Sequence, residues 1–101
     1  MDNIRVLSFN VRGLRRKQKR IRVFRTLKEK KCDVICLQET YIVKKDFEQW
    51  KKEWGGEMMF FEGTNHGRGQ IILLRKNFPW NWSVELLEDR LIGIRIKCDR
   101  D

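Results

Sequence analysis

Between Ile4 and Gln38 the hydrophobic period changes twice, and this narrows the folds open to the chain more than any other feature. Residues 4–11, IRVLSFNV, read as a strand, with Ile4, Val6, Ser8 and Asn10 on one face and Arg5, Leu7, Phe9 and Val11 on the other. Apolar residues on both faces predict a strand covered on both sides. From Lys17 to Lys31 the period becomes helical. Ile21, Phe24, Leu27 and Lys28 recur at i, i+3, i+6 and i+7, with Val23 beside them and charge over the opposite arc. Residues 33–38, DVICLQ, are short, apolar and partly β-branched, which predicts a second strand. Strand, helix and strand within about 35 residues predict a βαβ unit with parallel strands and a right-handed crossover.

The rest of the chain continues in the same style. Residues 46–54, DFEQWKKEW, predict a helix with Phe47, Trp50 and Trp54 on one side and Gly55-Gly56 as its stop. EMMFFE suggests a short strand, GTNHGRG a loop, and QIILLRK a continuous apolar strand. PWNWSVELLE alternates, placing Trp80, Trp82, Val84 and Leu86 on one face, and LIGIRIK alternates through Ile92, Ile94 and Ile96. The two are expected to form a hairpin, with Pro79 starting its first strand. The Trp residues are expected in the core. The layout is α/β: one mixed sheet with flanking helices in a single domain, residues 1–101. Nothing after Lys97 is left to cover the far face of that sheet.

The net charge is +9, yet it is local. The segment from Arg12 to Lys31 holds eleven Lys or Arg and one acid, Glu29, which is +10 in all and leaves −1 for the remainder. Such a patch attracts polyanions, nucleic acid first and an acidic membrane surface second. A solvated helix face is the plainer reading of the same charges. The three cysteines, Cys32, Cys36 and Cys98, show no zinc spacing and read as reduced thiols of a cytosolic or nuclear protein. MDNIRVLSFN has no apolar core of a signal peptide, and no run is long enough to span a membrane. RRKQKR fits a nuclear localisation patch, a motif with many false positives, so nucleus is expected and cytoplasm remains open.

In an open α/β sheet, ligands gather beyond the carboxyl ends of parallel strands. Asn10 ends the first predicted strand and Glu39 the second. If the strands are neighbours, an amide and a carboxylate converge on one rim. A hard cation such as Mg²⁺ takes oxygen ligands, often one or two carboxylates with waters and substrate phosphate. Glu39 would hold the metal, and Asn10 would hold Glu39 or a metal-bound water. Arg12, Arg15, Arg16, Lys17, Lys19 and Arg20 follow Asn10 and would bring positive charge to phosphates at that rim. Plainer readings stand beside these. A strand-end glutamate is ordinarily just solvated, and an asparagine before a glycine turn often bonds its own backbone. His66, in a glycine-rich loop, is expected at the surface rather than in a catalytic role.

The wording goes further than the spacing. IRVLSFNVRGL, then a basic helix, then CDVICLQETY, closely resembles the start of the endonuclease/exonuclease/phosphatase family. N-V-R-G-L, Q-E-T and the later GRGQIILLRK look most like the endonuclease of LINE-type (non-LTR) retrotransposons, near the apurinic/apyrimidinic endonucleases. The resemblance runs through essentially the whole chain. It implies a Mg²⁺-dependent phosphodiesterase acting on DNA, with Mn²⁺ as an alternative metal. Glu39 would be the metal-binding glutamate and Asn10 the asparagine that supports it. Tyr41 and Arg68 would line the DNA side.

The departures matter as much. The resemblance implies a two-sheet sandwich more than twice this length. Its second half carries a strand-end Tyr, an Asp-x-Asn motif and a Ser-Asp-His motif, and none of these is present. His66 does not match the family's catalytic histidine. The expectation is therefore the N-terminal half of such an endonuclease, with little turnover alone and an apolar sheet face open to self-association. The alternative is a non-catalytic nucleic-acid-binding remnant that uses the basic helix 17–31. The basic helix and the LQET wording favour nucleic acid over lipid or inositol phosphates. They do not separate abasic DNA, intact duplex and RNA.

Overall fold

The βαβ pattern takes shape as β1 (Val6–Asn10), α1 (Lys17–Glu29) and β2 (Val34–Gln38), with β1 and β2 paired in parallel, Val6 opposite Val34 and Asn10 opposite Gln38. The structure, a computed structural model, describes residues 3–63, 68–88 and 91–97. A short 3-10 turn at Lys44–Asp46 leads into α2 (Phe47–Trp54), which stops at Gly55 in the left-handed conformation, φ 84°. Then come β3 (Glu57–Phe61), β4 (Gln70–Leu74), β5 (Asn81–Glu88) and β6 (Leu91–Lys97). Four strands form a mixed sheet in the order β1-β2-β4-β3, and β5-β6 form a separate antiparallel hairpin. The result is a mixed α/β architecture consistent with part of an α/β sandwich.

Strand alternation sorts the sheet's side chains between two cores. On the helix side, Ile35, Leu37, Ile71, Leu73 and Met58 pack with Phe24 and Leu27 of α1 and Trp50 and Trp54 of α2. On the other side, Val34, Ile72 and Leu74 pack with Cys36, Met59, Phe78, Trp82, Ile94 and Ile96. The uninterrupted apolar run of β4 has its reason here: the strand is buried on both faces, one against helices and one against the hairpin.

Three expectations change. The sheet's far face is not left bare, because Trp82, Ile94 and Ile96 of the hairpin lie on it. β1 is not covered on both sides. It is the edge strand, with Val6 62% and Phe9 49% exposed. Pro79 precedes β5 rather than starting it, since the strand begins at Asn81. Trp50 and Trp54 are buried, whereas Trp80 and Trp82 are only partly so. His66 and Cys98, together with most of the predicted 63–69 loop and the hairpin's turn, lie outside the described residues. No helix among the described residues is long and apolar enough to cross a membrane.

Two ion pairs fasten the fold, one along the edge of the sheet and one between the helices. Asp33 accepts from the Arg5 backbone N–H at 2.8 Å and from Arg75 Nε, joining the start of β1 to the end of β4. Burial pushes the Asp33 carboxyl up, but those two donors outweigh it and hold it below the ordinary value. Arg20 of α1 is only 5% exposed and forms a two-pronged pair with Glu53 of α2, while its guanidinium lies 4.7 Å from the Trp50 ring centroid. Arg20 also donates to the Leu14 carbonyl at 3.1 Å, so the pair anchors the loop that follows β1. Its hydrogen bonds hold the Glu53 carboxyl below the ordinary range.

Removing one member of a buried pair leaves the other charge without compensation. We expect Arg20→Met to destabilise the fold by about 3–5 kcal/mol in urea unfolding, with most of the loss recovered in Arg20→Met/Glu53→Met. Equal stability of Arg20→Met and the parent would show that the pair does not hold α1 to α2.

Candidate metal and phosphate site at the strand ends

The parallel ladder does not stop where β1 and β2 stop. Val11 N–H donates to Gln38 O at 3.1 Å, Gly13 N–H to Glu39 O at 2.6 Å and Leu14 N–H to Thr40 O at 3.1 Å. Two loops are thus laced residue by residue beyond the sheet rim. The letters of N-V-R-G-L now have separate physical jobs. Val11 and Leu14 point into the core, both nearly fully buried. Between them the chain must reverse in two residues, and it does so with Arg12 at φ 52° and Gly13 at φ 92°. A side chain in that left-handed region is uncommon, and such residues concentrate at functional sites.

Asn10 uses both ends of its amide. Its Oδ1 accepts from the Arg12 backbone N–H at 3.0 Å, the Asx turn expected of an asparagine before a tight reversal. Its Nδ2 donates to Glu39 Oε2 at 2.7 Å. The turn role and the carboxylate-holding role, alternatives in the sequence, are performed together. The turn bond fixes which end of the amide faces Glu39.

Q-E-T is equally divided. Gln38 Nε2 donates to Ser8 Oγ at 2.9 Å across the sheet surface. Glu39 adopts φ 54°, which turns it out of the strand's alternation and toward Asn10. Thr40 is fully buried, and its backbone N–H donates to Gly69 O at 3.2 Å. Tyr41, at φ 59°, donates its backbone N–H to Arg68 O at 2.9 Å. The Glu39 loop is therefore clamped from both sides, by residues 11–14 and by residues 68–69. Gly69 favours glycine: a side chain at φ +58° is strained, and an added Cβ would stand 3.1 Å from Thr40 Oγ1, which would have to give way. Thr40 and Gly69 are the positioning residues the sequence reading missed, and the glycines of GRGQ were the available signal.

The basic residues after Asn10 divide into two groups. Arg12, Arg16 and Lys17 are exposed and hold no ion pair among the described residues; Arg12 sits in the Asn10 turn, Arg16 and Lys17 follow it at the start of α1, and the Lys17 charge acts on Glu53. Lys19 instead donates to the Val11 and Arg12 carbonyls at 2.7 and 3.1 Å, bracing the turn. Arg15 pairs with Asp46 and reaches the Tyr41 carbonyl at 3.2 Å. Burial pushes the Asp46 carboxyl up, but Arg15 and the Val43 N–H outweigh this and hold it low. Arg20, buried against Glu53, is not on the rim surface at all. The Tyr41 ring lies beside Gly13, and Arg68 is exposed at the opposite flank of the Glu39 loop.

The donor set suits a hard cation. Glu39 is partly exposed, and its Oε1 accepts no hydrogen bond from the described residues, while Oε2 is oriented by Asn10. One oriented carboxylate oxygen with open space for waters fits Mg²⁺, which dehydrates reluctantly, better than it fits zinc. No group of three His, Cys, Asp or Glu gathers among the described residues, so these residues build no closed metal cage.

A search of curated proteins returned no match to this chain. The sequence profile of the "Endonuclease/Exonuclease/phosphatase family" matches residues 7–97. That span covers both laced loops, and the match points to nuclease or phosphatase hydrolysis in general. The chain belongs to the endonuclease/exonuclease/phosphatase family.

Proposed function

We propose that this chain carries the metal-binding side of a Mg²⁺-dependent endonuclease site for DNA, of the LINE or abasic-endonuclease type. The observation that supports this most is the Asn10–Glu39 hydrogen bond at the parallel strand ends, with exposed Arg12 in the Asn10 turn and exposed Arg16 and Lys17 following it in the chain. The subgroup rests on the N-V-R-G-L, Q-E-T and GRGQIILLRK wording. Mg²⁺, or Mn²⁺ in its place, would be held through Glu39 Oε1 and would stabilise charge developing on a phosphoryl oxygen. Asn10 keeps the carboxylate aimed outward. Arg12, Arg16 and Lys17 attract the phosphate backbone without reading bases. DNA as substrate and RRKQKR together favour a nuclear location.

Among the described residues no trio of His, Cys, Asp or Glu gathers, and no other carboxylate hydrogen-bonds to the Asn10–Glu39 pair, so no general base for water is identified among them. Groups that act together in catalysis lose orders of magnitude in rate when some are absent. We expect the 101-residue chain, with Mg²⁺, to nick supercoiled plasmid no faster than its Glu39→Ala variant. Nicking that requires both Mg²⁺ and Glu39 would show that these residues suffice for a working site.

The non-catalytic reading draws on α1, whose outer face carries exposed Arg22 and Arg25 without ion pairs among the described residues. The two readings differ in where DNA sits. If DNA sits at the rim, Arg12→Gln/Arg16→Gln/Lys17→Gln weakens duplex binding and lowers its log–log salt slope by up to about 3. Loss through Arg22→Gln/Arg25→Gln with the rim variant unchanged would favour the helix face. Arg15, Lys19 and Arg20 are unsuitable for this test, because each already serves the fold.

A further inference from the structure

The first turn of α1 runs against its own electrostatics. A helix N-terminus carries partial positive charge and favours acidic side chains. The first turn of α1 has none, and Arg16 supplies no side-chain cap. Lys17, Lys19 and Arg20 stand there instead. Glu53 accounts for Arg20, and the Lys17 charge acts on the same carboxylate. Lys19 pairs with no acid among the described residues. It is half-buried, and its ammonium reaches two consecutive carbonyls, Val11 O at 2.7 Å and Arg12 O at 3.1 Å.

Those carbonyls belong to the reversal that aims Asn10. Arg12 sits at φ 52°, where a residue with a side chain is strained. Its N–H is held by Asn10 Oδ1 at 3.0 Å and its carbonyl by Lys19. Asn10 Nδ2 then meets Glu39 Oε2 at 2.7 Å. An ammonium has three donors, so one lysine caps both carbonyls, and a charged donor makes the stronger bond. Without it both carbonyls lose a partner and Arg12 is free to relax toward ordinary backbone. The Asn10 amide then loses the bond that fixes which end faces Glu39.

We infer that Lys19 is a positioning residue for metal binding: it holds Arg12 in the left-handed turn and, through Arg12 and Asn10, sets the aim of the Glu39 carboxylate. The inference rests on the reading of Glu39 as the metal-holding group. Its effect differs in sign from that of the Lys19 charge. A cation near a metal site repels the metal, so losing the charge alone would tighten binding, whereas losing the turn weakens it.

The test is the Mn²⁺ affinity of the folded chain, read from broadening of the Asn10 and Glu39 amides, in Lys19→Met, and in Lys19→Gln should the first not fold. Binding is expected to weaken about tenfold, as it does when the orienting partner of a metal ligand is lost. The Asn10 side-chain NH₂ resonances should shift before any metal is added. In an Asn10→Ala background the same substitution should change affinity by no more than about twofold, because Lys19 acts through Asn10. Arg16→Gln removes a charge from the same end of α1 without touching the turn and should not weaken binding. Equal or tighter binding by the Lys19 variant would overturn the inference. So would an equal loss from Arg16→Gln, or a full tenfold loss on top of Asn10→Ala. No broadening at Glu39 in the parent chain would overturn the metal reading itself and this inference with it.

Discussion

The lacing of residues 11–14 onto residues 38–40 is the constraint on which the site depends. Each backbone bond in it is ordinary, worth about 0.5–1.5 kcal/mol net. Its value lies in register. Because β1 and β2 are parallel neighbours, Asn10 and Gln38 are opposite one another, and the next residue on the β2 side is Glu39. Left-handed backbone at Arg12, Gly13, Glu39 and Tyr41 lets both loops turn while the ladder continues. The side chains of Asn10 and Glu39 then meet without either being buried, so the carboxylate is oriented and still open to a ligand.

Charge is distributed with similar economy. Of the cations between Arg12 and Lys31, several are internal fasteners rather than surface decoration. Arg20 joins α1 to α2, Lys19 braces the Arg12 turn, and Arg15 ties the rim to the start of α2 through Asp46. What is left for a polyanion is smaller than the +10 of the segment suggests, and it falls in separate places. Arg12 stands at the strand-end rim, Arg16 and Lys17 at the start of α1, Arg22 and Arg25 on the outer helix face, and Lys31 at the opposite pole with Lys76.

Much of this was legible in the sequence. The change from period two to helical period and back located β1, α1 and β2, and the unbroken apolar run of QIILLRK located β4. Asn10 and Glu39 could be placed at strand ends because the apolar runs stop beside them. Three things were hidden, each for a physical reason. Alternation in IRVLSFNV says which residues share a face but not which face has a neighbour, so the exposure of Val6 and Phe9 could not be read. Arg20 looks like part of a basic face, because its partner Glu53 lies 33 residues away. Thr40 and Gly69 meet only after β4 has folded back beside β2, so their contact has no local signature.

The measurement that tests the account most directly is paramagnetic broadening of the chain's amide resonances by substoichiometric Mn²⁺. It reads metal position without requiring turnover. The account expects broadening centred on Asn10, Val11, Glu39 and Thr40, competed away by Mg²⁺ and absent in a folded Glu39→Gln variant. Asn10→Ala should retain it at about 10–100-fold lower affinity, as loss of an orienting partner does at other metal sites. Broadening centred elsewhere, or unchanged in Glu39→Gln, would contradict the assignment of Glu39 as the metal-holding carboxylate.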